Sequence, residues 1–458
     1  LWALRGKDPV WRHINTISDY TFYWFGMAWE YYLYTGDREF LREIYPSMKT
    51  LMEFVESRME KKDDGWYVSK PGDWTFVDWA PSALENYQGP VAVLQILLAR
   101  AYEALEAAAR VQGDAETAKS AMAKSVALRK RIVPTFWNDE KGGLVHALGK
   151  DGKQLDQFTR YANMFGIFYG YFDDAQTKSV IDRCLLNDQV MKIVTPYMRF
   201  YELEAHCAIG RQAEVTKEMR AYWGGMLDLG ATSFWELFDP REKGDQHYAM
   251  YGRTFGRSFC HAWGASPAYL LGRYYLGVTP TRPGFAAYEV CPNLGGLKWM
   301  RGKVPTPNGE IEVTVKDGKA TVRGCAAGTG TLYWNGRTAT VPPGATVTLS
   351  SSETPRLDRS KLLVGTYYLH AQARDEAHVK AMKEAGIDFV FGIDAKDRPA
   401  LDLLRKHNLR CIATGVFPGW GGGDGSRAGQ LEKLHPMDEY VKAATGFEDH
   451  PAIWMVDI

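Results

Sequence analysis

Apolar residues recur at three- and four-residue spacing through most of 18–275, the period of helices that bury one stripe. The clearest case is 38–59, where Phe40, Leu41, Ile44, Met48, Leu51, Met52 and Val55 share a face. Before it, an aromatic-rich helix is predicted over 20–34, ending at Gly36, a residue suited to the left-handed turn that closes helices. The stretch 90–111 is Ala/Leu-rich, and Asp114 stands where it can cap a further helix to about Val133. The same pattern predicts helices over 157–171, 175–186, 195–209, 211–227 and 258–275. The pairs are joined by loops containing Gly, Pro or Asp, an alternation that fits a helical toroid or solenoid. Because the chemically unusual residues fall in loops between pairs, a toroid with a functional mouth is favoured.

The period changes after Gly277. Pro280, Pro283, Pro292, Pro305 and Pro307 break up any helix, and 310–315, 319–323, 330–334 and 345–349 read as short strands. Asp317-Gly318 and Asn335-Gly336 sit between strand-like runs, a strong hairpin signal. These predict a small antiparallel β-domain ending near Ser350. A polar linker follows at 351–359. Strands at 362–368, 388–393, 410–416 and 452–458 then alternate with helices at 376–385, 398–408 and 437–446. That alternation indicates a parallel α/β domain; its units are half of the eight that a TIM barrel needs.

Composition changes this picture in one respect. Charged residues balance, 55 Lys+Arg against 55 Asp+Glu, which argues against a nucleic-acid partner, since such a partner selects a basic face. No run of 18 apolar residues predicts a membrane span. The six cysteines lie far apart, so neither a zinc ribbon nor a disulfide framework is expected. No HExxH, GxSxG or Walker A sequence occurs, and no metal or cofactor is expected. The informative feature is 15 Trp, 25 Tyr and 20 Phe in 458 residues. Such residues build a large core, or they build platforms for the apolar C–H faces of sugars.

Three segments place carboxylates or imidazole among those aromatics. In Gly230-Ala231-Thr232-Ser233-Phe234-Trp235-Glu236, a loop carboxylate next to an indole suits water activation beside a sugar face; it reads equally well as a surface Glu next to a core Trp. Asp73, Trp74, Asp78 and Trp79 fall within one short loop, where two carboxylates can grip neighbouring hydroxyls or, alternatively, cap helices. Ser258-Phe259-Cys260-His261-Ala262-Trp263 is expected to open a helix, keeping His261 neutral and able to donate, unless it is a satisfied structural residue. The glycine run at 419–425 reads as a βα-loop.

In this order, WTFVDWAP at 74–81, YWGGMLDLGATSFWE at 222–236, SFCHAWGASPAYLL at 258–271, LGVTPTRPGF at 276–285 and VPTPNGEIEV at 304–313 resemble the bacterial α-L-rhamnosidases of glycoside hydrolase family 78. The resemblance covers about 15–350. It implies an (α/α)6 toroid over 1–275 and a β-sandwich over 276–350; beyond a linker at 351–360, residues 361–458 separately look like the first half of a TIM-barrel glycosidase-like module. The family resemblance implies inverting hydrolysis of terminal α-L-rhamnosyl residues, with a carbohydrate as the partner; the charge balance and hydropathy above add no membrane or nucleic-acid partner to that expectation. By resemblance Glu236 is the general base, while Asp73, Trp74, Asp78, Trp79, Trp235, His261 and Trp263 line the rhamnose pocket. The family's general acid lies in a segment upstream of the helix at Tyr20. The chain starts at Leu1 and stops at Ile458 after an apolar run, so it reads as a piece lacking that acid and the first toroid helices. Two other readings are a carbohydrate-binding protein without catalysis and another toroid glycosidase.

Overall fold

The computed structural model describes residues 16–59, 65–69, 73–79, 89–350, 365–367, 375–394, 397–414 and 453–456. The chain divides into two compact units, Leu1–Ser352 and Glu353–Ile458.

In the first unit, β1 (Thr16–Ile17) pairs in parallel with β2 (Asp73–Trp74) beside the start of the helical series. The helices are α1 (Ser18–Thr35), α2 (Arg38–Ser57), α3 (Ala92–Gln112), α4 (Ala115–Phe136), α5 (Arg160–Phe168), α6 (Asp174–Val180), α7 (Pro196–Ala208), α8 (Gln212–Asp228) and α9 (Ser266–Leu270). A short hairpin of β3 (Trp137–Asn138) and β4 (Gly143–Leu144) follows α4. The local signals act as the sequence implies. Gly36 closes α1 at φ 72°, and the Asp37 side chain accepts from the Phe40 N–H to start α2. Asp114 does the same for α4 through the Thr117 N–H.

Burial separates two layers. Helices α3 and α5 bury nearly all their side chains, whereas α2, α4 and α8 bury one stripe each. Helix α1 packs on α3, α3 on α5, α5 on α7 and α7 on α9, making the inner layer of an α/α toroid, with the others outside. Between α5 and α7 lies a buried ion pair, Arg160 Nη1 to Glu202 Oε1 at 2.6 Å. Burial opposes ionisation of Glu202, but the Arg160 and Arg199 guanidiniums outweigh it and hold its carboxyl below the usual range.

The stretch 258–275 departs from the expected single helix. It contains a 3-10 turn at Ala262–Gly264, then α9, then a π turn at Leu271–Tyr275. Pro267 sits in the first turn of α9, where a missing N–H costs nothing, so the α-helix starts there. His261 is left upstream in extended conformation and does not open an α-helix.

The β-region has eight strands: β5 (Val278–Arg282), β6 (Ala287–Val290), β7 (Met300–Thr306), β8 (Gly309–Lys316), β9 (Lys319–Arg323), β10 (Thr329–Trp334), β11 (Arg337–Val341) and β12 (Thr346–Ser350). They form two four-stranded sheets, ordered β11-β10-β6-β5 and β12-β9-β8-β7. All neighbours run antiparallel except β6 and β10, which are parallel. Both expected hairpin turns have two left-handed residues, Asp317-Gly318 (φ 50° and 71°) and Asn335-Gly336 (φ 49° and 72°), as the tightest hairpins require. Four strands, β5, β6, β7 and β11, lie outside the sequence expectation. Pro280 and Pro305 argued against β5 and β7, but both are edge strands, where a missing donor breaks no ladder bond. Buried Val290, Ile311, Val313, Val322, Leu332 and Val341 from both sheets share one core.

The second unit holds β13 (Gly365–Tyr367), α10 (Glu376–Glu384), β14 (Phe389–Asp394), α11 (Arg398–Lys406), β15 (Arg410–Thr414) and β16 (Ile453–Val456). The strands pair in parallel in chain order. Among the described residues this is an open sheet without barrel closure. The expected helix at 437–446 and the glycine run at 419–425 lie outside the described residues.

Candidate active site

Two loop segments of the toroid are joined by backbone pairing. The Glu236 N–H donates to the Ser258 carbonyl (2.9 Å), and the His261 N–H donates to the Phe234 carbonyl (2.8 Å). The Trp263 indole N–H adds a bond to the Glu236 carbonyl (2.8 Å). Arg257 ties the base of this assembly, reaching Glu242 through both terminal nitrogens at 2.9 Å and also the Leu237 carbonyl.

Glu236 is 5% exposed, and each of its oxygens has a donor. The Tyr251 hydroxyl donates to Oε1 (2.9 Å), and the Ser258 N–H donates to Oε2 (2.9 Å). Burial, then the adjacent Glu236 carboxylate, pushes the Tyr251 hydroxyl up to about 12, so it remains a donor at neutral pH. Tyr251 sits at φ 53°, left-handed backbone that a non-glycine residue seldom adopts. Such strain persists where the surrounding contacts hold it, and here those contacts include the bond to Glu236.

Trp79 joins a second loop to this one, its half-buried ring lying edge-on to Tyr251 with centroids 5.8 Å apart. Next to it, Asp78 is 1% exposed and engaged on both oxygens: the Thr195 hydroxyl (2.6 Å) and the Trp79 N–H (2.8 Å) on Oδ1, and the Tyr161 hydroxyl (3.0 Å) on Oδ2. Burial raises its carboxyl to about 6 against those three donors. Asp78 therefore brackets the loop to α5 and to the start of α7. Val77 before it sits at φ 50°, a costly conformation for a β-branched residue. Asp73 and Trp74 form β2 at the near end of the same loop.

Aromatic faces surround these groups. Trp263 stacks on Tyr197 of α7 (centroids 5.2 Å, 7° between planes), and the His261 ring packs on Trp263 at 4.4 Å. Trp235 differs from the sequence expectation of a sugar-stacking face. It is buried, with Phe259 and Tyr248 edge-on at 5.2 and 6.0 Å, and supports the Glu236 loop from the core side. Contacts thus run continuously from Asp78 through Trp79 and Tyr251 to Glu236, and on through Trp263 to His261.

Three residues here carried no sequence signal: Tyr251, Tyr197 and Asp19. Asp19, in the first turn of α1, is 1% exposed, and burial pushes its carboxyl up to about 7. No group of three His, Cys, Asp or Glu able to hold a metal ion occurs among the described residues.

The model of the bacterial alpha-L-rhamnosidase six-hairpin glycosidase domain matches residues 8–275. The chain belongs to this family. An alpha-L-rhamnosidase from Alteromonas sp. (strain LOR) is 24% identical over 310 residues, which are 63% of this chain and 31% of that protein. Among solved structures, the family 78 rhamnosidase of Bacillus sp. GL1 matches with a TM-score of 0.57 at 24% identity, over 67% of this chain and 31% of its own. The Streptomyces avermitilis alpha-L-rhamnosidase complexed with L-rhamnose matches with a TM-score of 0.52 at 16% identity, over 70% of this chain and 32% of its own. The chain thus spans about a third of the length of these relatives. The six-hairpin glycosidase match takes in every element of the candidate site, from Asp19 to Trp263.

Proposed function

We propose that this site acts in the hydrolysis of terminal α-L-rhamnosyl bonds with inversion, and that Glu236 is the general base. The observation that carries the proposal is the setting of Glu236: a carboxylate held by the Tyr251 hydroxyl and the Ser258 N–H, with Trp79 and Trp263 nearby. Each carboxylate oxygen retains a lone pair beyond the one its donor uses, so a water can be held and deprotonated there. In inversion, a second carboxyl protonates the leaving oxygen from the opposite face of the ring. Trp79, Trp263 and His261 line the sugar in this reading, with Asp73 and Trp74 adjoining. Asp78 and Trp235 contribute by holding the loops that carry Trp79 and Glu236.

Steady-state kinetics on an aryl α-L-rhamnoside test the reading. Glu236→Gln keeps the shape but cannot take a proton, so kcat is expected to fall by roughly 10²–10⁴ with little change in KM. NMR of the first-formed product should show the inverted anomer. A Glu236→Gln protein with most of its kcat moves the base elsewhere, and retention of configuration removes the water-activating role.

A further inference from the structure

Between Glu236 and Ser258 the chain makes a long excursion, 237–257, that contains a single 3-10 turn at Gly244–His247. Loops of this length with so little regular structure are uncommon in compact domains and are usually functional. This one supplies a donor to each oxygen of Glu236, the Tyr251 hydroxyl from its tip and the Ser258 N–H at its exit. At its centre lies an ion pair. Arg257 is 4% exposed, and each terminal nitrogen of its guanidinium donates twice within the loop. Nη1 reaches Glu242 Oε2 (2.9 Å) and the Leu237 carbonyl (3.3 Å), and Nη2 reaches Glu242 Oε1 (2.9 Å) and the Ala249 carbonyl (3.4 Å). The Arg257 N–H donates as well, to the Tyr248 carbonyl (3.2 Å). One residue thus grips the loop where it leaves Glu236, at its middle, and just before Tyr251. The tip is folded as tightly: Met250 pairs with Arg253, and a Cβ at Gly256 would overlap the Met250 carbonyl.

A guanidinium that meets a carboxylate through two parallel bonds fixes direction as well as distance, which a lysine ammonium cannot do. The attraction in a buried ion pair is largely offset by the loss of hydration, so net stability is a weak reason for such a pair. A defined arrangement is a better one, and here the arrangement governs the donors of a single carboxylate. A misplacement of about 1 Å at a reacting group costs on the order of 10²-fold in rate.

We propose that Arg257 and Glu242 are positioning residues for Glu236: their ion pair sets the 237–257 loop so that the Tyr251 hydroxyl and the Ser258 N–H reach the two carboxylate oxygens together. Neither residue touches the sugar. The inference rests on the reading of Glu236 as the general base and extends it to the side chains that orient that base.

The test is steady-state kinetics on an aryl α-L-rhamnoside with the full chain, at a temperature where circular dichroism shows every variant folded. Arg257→Lys keeps a cation but cannot bridge both oxygens, and Glu242→Gln keeps the shape but offers the guanidinium only one acceptor. Each should lower kcat by about tenfold or more while KM changes by less than about threefold. Tyr251→Phe should lower kcat in the parent, and by less than about twofold in the Arg257→Lys background, where the hydroxyl is no longer held. A pair that merely stabilises the fold predicts otherwise: a lower unfolding temperature, with the kcat of folded variants intact and the Tyr251→Phe effect undiminished. Either of those last two results overturns the inference. Amide hydrogen exchange on the empty protein gives a readout independent of turnover. In Arg257→Lys, amides of 249–258 should exchange at least about tenfold faster than in the parent, with those of α3 and α5 unchanged. Glu236→Gln, run alongside, separates the two proposals. If it keeps its kcat, the base reading fails and exchange alone decides the clamp, which unchanged protection over 249–258 overturns.

Discussion

At the scale of single residues, the orientation of Glu236 comes from two donors of unequal strength of attachment. The Ser258 N–H belongs to a paired backbone, whereas Tyr251 is largely exposed and reaches Oε1 from a strained turn. Tyr251→Phe removes only the second donor. A hydrogen bond to a charged group contributes roughly 1.5–3 kcal/mol, less where water competes, so kcat should fall by about 3–30-fold with a smaller change in KM. Steady-state kinetics against the parent check this, and a change confined to KM would make Tyr251 a substrate contact instead. The residues legible from sequence were those where a carboxylate or imidazole adjoins an indole, as in Trp235-Glu236 and His261-Ala262-Trp263. Asp19 was not legible because an acidic residue in the first turn of a helix is ordinary. What makes it unusual is burial near Tyr197, which the chain supplies only many residues later. Trp235 shows the converse: adjacency to Glu236 in sequence does not say which of the two faces the core.

At the scale of elements, helix starts and stops were readable wherever a glycine or capping aspartate stood at the end, as at Gly36, Asp37 and Asp114. The strands that escaped were those containing or flanked by proline, because the edge or interior place of a strand is a property of the sheet. The inner helices also carry an interaction that no periodicity reveals, the buried Arg160–Glu202 pair between α5 and α7. Removing one partner leaves the other charge uncompensated in the interior. Glu202→Gln is therefore expected to lower stability by about 3–5 kcal/mol, read as a shift of the denaturant midpoint. A shift within about 0.5 kcal/mol would show that the pair is not holding these helices together.

At the scale of the whole molecule, buried carboxyls give the first unit an unusual response to pH. Burial raises Asp19 to about 7, Asp78 to about 6 and Glu204 to about 8. In an unfolded chain these groups titrate near 4, so between about pH 4 and 8 the folded state binds more protons. Their contribution to stability is full below the unfolded value and is lost as pH rises through the folded values. The unfolding temperature should accordingly be higher at pH 5 than at pH 8, as followed by differential scanning fluorimetry; a rise over that interval would contradict the assignment. The two edge prolines bear on a different property, the behaviour of many copies together. An edge strand with a full row of outward donors and acceptors is a template for a strand from another molecule. Pro280 in β5 and Pro305 in β7 each interrupt that row on one sheet. The residues that hid these strands in the sequence thus make the β5 and β7 edges poor seeds for aggregation.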